Sequence, residues 1–105
     1  MSYDVFLERT IHQDRERIPG NFRQRIRAAI TGLAAEPRPP ASQPLDASGF
    51  QVPPGIELRR LRLDPWRIVY AINDQERWVW VLALRRPPPY DYDDLLDLLS
   101  RLDPR

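Results

Sequence analysis

The stretch ELRRLRLDPWRIVYAIND, residues 57–74, has the pattern of two β-strands joined by a tight turn. Leucine alternates with arginine before the turn, and β-branched or aromatic residues dominate after it, which is typical of half-buried strands. Asp64 and Pro65 suit positions i and i+1 of a type I turn. The pattern predicts an antiparallel hairpin that carries several guanidinium groups.

The segments on either side extend this hairpin into an α+β domain. Alternating apolar residues predict a first strand over residues 3–9 and a further antiparallel strand over residues 77–86. A capping box at Thr10 predicts the start of one helix, and apolar residues three and four apart predict a second helix over residues 21–36, with Asn21 as its N-cap. The last apolar stripe predicts a third helix over residues 90–102.

The predicted element order is β-α-α-β-β-β-α, with one mainly antiparallel sheet packed against helices. At 105 residues, the chain is expected to form one domain spanning residues 1–105. Residues 37–55 contain six prolines and two glycines, which predicts an extended surface connection anchored by Phe50 and Val52.

Composition limits the chemistry that is available. The chain contains no cysteine, so disulfides and thiolate metal sites are excluded, and all 16 of its basic residues are arginine. Arginine keeps its proton in proteins, so none of these residues can serve as a general base. We expect no metal or other cofactor. The N-terminus has no apolar run suited to a signal peptide, and no apolar segment approaches the length of a membrane span. No membrane association is therefore expected, and the cytoplasm is the expected location.

The side chains of arginines on three predicted strands can project from the same face of the sheet. By strand alternation, Arg60, Arg62, Arg67 and Arg85 converge on one sheet face if the strand registers agree. Such a cluster could hold phosphates through bidentate hydrogen bonds. The alternative is a solvated face whose arginines pair with acidic residues, including those of the acidic last helix.

The aromatic residues and the lone histidine have simpler interpretations. Alternation places Trp66, Trp78 and Trp80 on one face with Ile68, which predicts packing in the core rather than stacking on bases, and Tyr70 follows them. The only histidine lies on the predicted first helix and is expected to be a surface residue.

Two blocks, RLRLDPWRIVYAI and VWVLALRRPPPY, resemble the RelE/ParE superfamily of bacterial type II toxins. The resemblance rests on an alternating basic strand, an aromatic-Arg-apolar-apolar-Tyr strand, an apolar strand, and arginines a few residues before a tyrosine. It covers nearly the whole chain and implies a toxin controlled by a cognate antitoxin protein. One branch of the superfamily cleaves mRNA at the ribosome without a metal.

For that branch, the resemblance implies roles for individual residues. Arg67 and Arg86 would contact the scissile phosphate, while Tyr90 would stack on a base or transfer a proton, and Glu57 is a second candidate for proton transfer. Binding of the RNA backbone would fall to Arg60, Arg62 and Arg85. The family nucleases often use a lysine or a C-terminal histidine for proton transfer, and this chain has neither.

Two other functions remain open within the same superfamily. A ParE-type toxin would bind DNA gyrase and cleave nothing, and the lack of lysine and C-terminal histidine favours this alternative. A non-catalytic member would bind only an antitoxin and operator DNA. An exposed apolar groove, with Leu98 as a possible contact, is expected to receive an amphipathic antitoxin segment.

Overall fold

The computed structural model describes residues 2–16, 18–45 and 52–85. These residues form two helices and one five-stranded sheet with the strand order β1-β5-β4-β3-β2. The elements are β1 (Asp4–Leu7), α1 (Arg9–Glu16), α2 (Gly20–Gly32), β2 (Ser42–Pro44), β3 (Ile56–Leu63), β4 (Trp66–Asn73) and β5 (Trp78–Arg85). The α+β architecture predicted from the sequence is confirmed.

The central hairpin β3–β4 forms as predicted, with eight consecutive residue pairs from Ile56 opposite Asn73 to Leu63 opposite Trp66. The predicted turn positions were wrong, because this last pair makes Asp64 and Pro65 the two central turn residues. The peptide bond between them is cis. Strand β5 pairs antiparallel with β4, and β1 adds to its other edge in the parallel direction.

The two helices cover one face of the sheet, which we call the helix face. Ile26 and Ile30 of α2 and Leu33 at its C-cap recur at helical spacing, and all three are buried. They pack with Ile68 and Tyr70 of the central strand in one apolar cluster. Burial of this stripe against the sheet holds α2 in place, because a helix of this length is marginal on its own.

Both helices begin slightly earlier than the sequence indicated. Helix α2 starts at Gly20 with Pro19 at the N-cap position, where Asn21 was predicted. The carbonyl of Pro19 accepts hydrogen bonds from the main-chain N–H groups of Phe22 and Arg23, each at 3.0 Å. Proline suits this position, because its extended ψ of 145° directs the carbonyl into the first helical turn.

The proline-rich connection contains one element that the sequence pattern missed. Residues Ser42–Pro44 form β2, a three-residue strand at the open edge of β3. Proline is tolerated there because an edge strand leaves some of its N–H positions unpaired. Val52 packs on the sheet as predicted, whereas Phe50 lies outside the described residues. The predicted helix over residues 90–102, with Leu98, lies outside them as well.

A β-bulge in β5 changes the predicted faces of the tryptophans. Val69 lies opposite Ala83, but the next residue, Tyr70, lies opposite Val81, so Leu82 is an extra residue in β5. Trp78 and Trp80 therefore share a face with Ala71, not with Ile68. The prediction of one shared tryptophan face was wrong, because strict alternation ignores a bulge. Trp66 and Tyr70 do pack on the helix face as predicted.

Within the described residues, no helix is long and apolar enough to cross a membrane. The same part of the chain contains no group of three or more acidic, histidine or cysteine residues suited to a metal ion.

Candidate functional site

Three arginines lie side by side across the three central strands. Arg62 of β3 is directly opposite Arg67 of β4, which is in turn directly opposite Arg85 of β5. Residues paired in this way project from the same face of a sheet. Arg60 lies two positions before Arg62 and shares that face. We call these four residues the arginine cluster, and the face they occupy, opposite the helix face, the arginine face. The predicted convergence is confirmed.

The bulge at Leu82 brings Arg85 into the cluster. Trp78 and Trp80 lie on the arginine face, so strict alternation would turn Arg85 towards the helix face. The extra residue reverses the alternation, and Leu84 instead enters the core on the helix face. Bulges commonly redirect a side chain beside a functional site in this way.

The arginines of the cluster differ in how deeply their side chains are buried. The Arg67 side chain is only 15% exposed, whereas that of Arg62 is 66% exposed. Arg67 also donates from Nη1 to the main-chain carbonyl of Trp66 at 2.9 Å, which orients its guanidinium. Like charges directly opposite each other weaken a sheet, so this row of arginines costs stability unless negative charge offsets it.

Asp64 of the hairpin turn supplies negative charge to the cluster. Its carboxylate accepts hydrogen bonds from Arg62 Nε at 3.0 Å and from Arg67 Nη1 at 3.1 Å. The hydrogen bonds from Arg62 lower the pKa of Asp64 most, and those from Arg67 lower it further. The sequence pattern predicts only a turn-forming role for Asp64. Its position, two residues after Arg62 and three before Arg67, is the sequence feature that could have predicted these contacts.

Glu57, a predicted proton-transfer group, lies away from the arginine cluster. It pairs with Ile72, a helix-face residue, so it projects towards the helix face. There it forms ion pairs with Arg38 at 2.7 Å and with Arg59 at 2.6 Å. Burial raises the pKa of Glu57, but the hydrogen bonds from these two arginines outweigh burial and lower it overall. A lowered pKa disfavours proton abstraction near neutral pH.

The same ion pairs attach the loop after α2 to the sheet. Arg38 also binds the carboxylate of Asp74 at 2.7 Å, and the Tyr3 hydroxyl donates to Asp74 at 2.6 Å. The pKa of Asp74 is lowered, first by Arg38 and then by Tyr3. This network joins Tyr3, just before β1, with residues of the α2–β2 loop, β3 and the β4–β5 turn, so its role is structural.

We expect this network to make the protein sensitive to acid. The carboxyl pKa values of Glu57 and Asp74 are lower when folded than when unfolded. Their contribution to stability is therefore complete above the unfolded value of about 4 and is lost as the pH falls through the lowered values. Asp74→Asn should lower the melting temperature at pH 7 and reduce its further decrease towards pH 3, measured by circular dichroism.

The matched control for that experiment is Glu16→Gln at the exposed end of α1, which removes one carboxylate outside the network. It should leave the pH dependence of the melting temperature close to that of the parent protein. Equal pH profiles for Asp74→Asn and the parent would contradict the prediction.

The remaining predicted site residues divide into two groups. Arg86 and Tyr90 lie outside the described residues, so their predicted roles stay predictions. His12 is exposed and lines a cavity between β1, α1 and β5 with Arg9 and Trp80, away from the arginine cluster. This agrees with the expectation that it is a surface residue.

Comparison with known proteins identifies the family. The model of the ParE toxin of type II toxin–antitoxin systems matches residues 5–86, which is more than half of the chain. No curated protein matches the chain in sequence.

Solved structures of RelE toxins share the fold. The archaeal RelE–RelB complex from Pyrococcus horikoshii contains a chain that is 22% identical, with a TM-score of 0.72 over 85% of this chain and 99% of that one. The Mycobacterium tuberculosis RelBE2 complex gives 20% identity and a TM-score of 0.66, over 83% and 100% of the two chains. A free Escherichia coli RelE mutant is 16% identical, with a TM-score of 0.63 over 95% of this chain and 96% of that one. The chain therefore belongs to the RelE/ParE family of type II toxin–antitoxin toxins.

Proposed function

We propose that this toxin inhibits translation by cleaving mRNA at the ribosome, with the arginine cluster as its phosphate-binding site. The observation that carries the proposal is the row of Arg62, Arg67 and Arg85 in register on three neighbouring strands. Guanidinium groups match the geometry and charge of phosphodiesters, and a row of them suits consecutive phosphates of one strand. A toxin that acts in this way would work in the cytoplasm.

The reaction follows from what such a site can stabilise. The 2′-hydroxyl of a nucleotide attacks the adjacent phosphorus, the bond to the 5′-oxygen of the next nucleotide breaks, and a cyclic 2′,3′-phosphate forms. Negative charge builds up on the non-bridging oxygens in the transition state. The partly buried guanidinium of Arg67 is positioned in advance to bind that charge, which is commonly a large part of catalysis. Arg60, Arg62 and Arg85 would hold the flanking backbone.

The attacking 2′-hydroxyl loses a proton and the departing 5′-oxygen gains one. In this scheme Tyr90 would transfer the proton and Arg86 would contact the phosphate, which are the roles that the resemblance implies. Glu57 is not used, because it projects to the other face of the sheet and is paired with Arg38 and Arg59. No step calls on a metal ion or another cofactor.

A cognate antitoxin is the expected protein partner. The related RelE toxins of Pyrococcus horikoshii and Mycobacterium tuberculosis were solved in toxin–antitoxin complexes, and a mutant of the Escherichia coli toxin was solved with a peptide of the antitoxin RelB. We propose that an antitoxin segment likewise restrains this chain. Coexpression with the neighbouring reading frame should raise its soluble yield.

The second candidate function is inhibition of DNA gyrase by binding. It is favoured by the match of the chain to the ParE toxin model, in addition to the lack of lysine and of a C-terminal histidine. In that case the protein would arrest growth with DNA damage signalling and leave mRNA intact.

A reconstituted translation reaction separates the two candidates. Purified toxin is added, and the 5′ ends of the mRNA are mapped with and without ribosomes. The proposal expects new ends at in-frame A-site positions that require ribosomes and are absent with Arg67→Gln. Intact mRNA would exclude the nuclease, and inhibition of gyrase supercoiling would then be measured with the same preparation.

A further inference from the structure

The carboxylate of Asp64 occupies the same guanidinium edges that a phosphate would use. It contacts Arg62 through Nε and Arg67 through Nη1, at 3.0 and 3.1 Å, so one side chain bridges two members of the arginine cluster. A phosphodiester offers two non-bridging oxygens with similar spacing and the same charge preference. Carboxylate and phosphodiester therefore compete for one position.

The exposure of these contacts makes such an exchange feasible. Asp64 is 59% exposed and Arg62 is 66% exposed, so their ion pair is screened by water and is weak. The Glu57–Arg59 pair on the helix face is different, because the Arg59 side chain is only 11% exposed and also binds Ser42. Among the described residues, the Asp64 carboxylate and the Arg62 side of its bridge are therefore open to exchange, whereas the Arg67 side, at 15% exposure, is shielded much as Arg59 is.

We propose that Asp64 is an intramolecular counter-ion of the arginine cluster, which an RNA phosphodiester must displace from Arg62 and Arg67 in order to bind. This inference rests on the proposed function and adds the residue that sets the affinity of its site. In the free protein, Asp64 offsets the repulsion within the row of arginines. On binding, the phosphate takes over that task, and the carboxylate turns towards solvent from the exposed hairpin turn.

Direct binding of an uncleavable RNA tests this proposal. The probe is a short single-stranded RNA with 2′-O-methyl groups, and its affinity for the full chain is measured by fluorescence anisotropy at low salt. Asp64→Asn should bind this probe roughly two- to fivefold more tightly than the parent, the gain expected when a competing exposed ion pair is removed. Asp64→Ser, which keeps a residue suited to turns, should give the same gain.

Two further variants separate competition from a general change in charge. Glu16→Gln raises the net charge equally but lies at the end of α1, and it should change the affinity far less. In the double variant Asp64→Asn/Arg62→Gln, most of the gain should disappear, because the carboxylate acts through the guanidinium that has been removed. Melting temperatures of all variants show whether each one folds.

The possible results have distinct meanings. Equal affinities for Asp64→Asn and Glu16→Gln would overturn the inference, and so would weaker binding by both Asp64 variants, since the carboxylate would then assist binding. If Arg67→Gln binds the probe as tightly as the parent, the arginine cluster is not the RNA site and the proposed function itself fails. Reduced binding by Arg67→Gln without any gain in the Asp64 variants would contradict only the competition between Asp64 and RNA.

Discussion

Arg67→Gln should lower mRNA cleavage in the translation reaction by about 100- to 1,000-fold, the range seen when one preorganised donor to a developing oxyanion is removed. Arg67 is the central member of the row and is 15% exposed, so water screens its charge less than that of Arg62. Arg67→Lys should restore cleavage only in part, because lysine keeps the charge but lacks the planar, bidentate fork.

The loss of activity should come with little change in stability. A neutral side chain at position 67 relieves repulsion from the two arginines in register with it, but it also removes the hydrogen bonds of Arg67 to Asp64 and to the carbonyl of Trp66. We expect these effects to oppose each other, so that the melting temperature of Arg67→Gln stays close to that of the parent.

The matched control is Arg77→Gln, which makes the same chemical change in the β4–β5 turn, at the opposite end of the strands from the cluster. It should retain cleavage close to that of the parent. Cleavage by Arg67→Gln within a few-fold of the parent would contradict the proposed site. If growth arrest also persisted with intact mRNA, the gyrase alternative would be favoured.

Tyr70→Ala should destabilise the fold by about 3–5 kcal/mol, which is the usual cost of truncating a large buried aromatic side chain. Tyr70 is completely buried at the centre of the sheet. Its ring packs among the apolar residues of the helix face, and its hydroxyl donates to the carbonyl of Pro37 at 2.7 Å. Burial raises the pKa of this hydroxyl, so it remains a neutral donor at physiological pH.

Tyr70→Phe separates packing from hydrogen bonding. It keeps the ring but leaves the buried carbonyl of Pro37 without this donor, so we expect a loss of about 1–2 kcal/mol. Tyr3→Phe is the matched control, because its hydroxyl binds Asp74 at the surface, where water can replace it, and it should cost less. Urea denaturation measures all three. Equal stabilities for Tyr70→Phe and the parent would contradict the role assigned to this hydrogen bond.

The arginine cluster shows which side-chain positions strand alternation predicts and which it does not. Strand alternation alone placed Arg60 and Arg62 on one face, because the period of two is a local property of the backbone. The same rule failed for Trp78 and Trp80, since it cannot detect the extra residue at Leu82. Arg85 joins the cluster because of that bulge, a feature that depends on how β5 pairs with β4.

Two carboxylates have interaction partners that only the folded structure reveals. Glu57 precedes the arginine strand and was a reasonable candidate for proton transfer, yet it projects to the helix face and pairs with Arg38, 19 residues away in sequence. Asp64 was taken as a turn residue, yet it lies against the cluster. The partners of a charged side chain depend on contacts between distant segments, which periodicity does not encode.

The α+β class, the hairpin and the absence of cysteine and lysine chemistry follow from the sequence alone, because they depend on local propensity and composition. The shared face of Arg60 and Arg62 follows from it as well. The parallel pairing of β1 with β5, the bulge that turns Arg85 towards Arg67, and the position of Asp64 rather than Glu57 at the cluster depend on the tertiary structure. Strand pairing and register are set by packing across the whole sheet, which no single segment of sequence specifies.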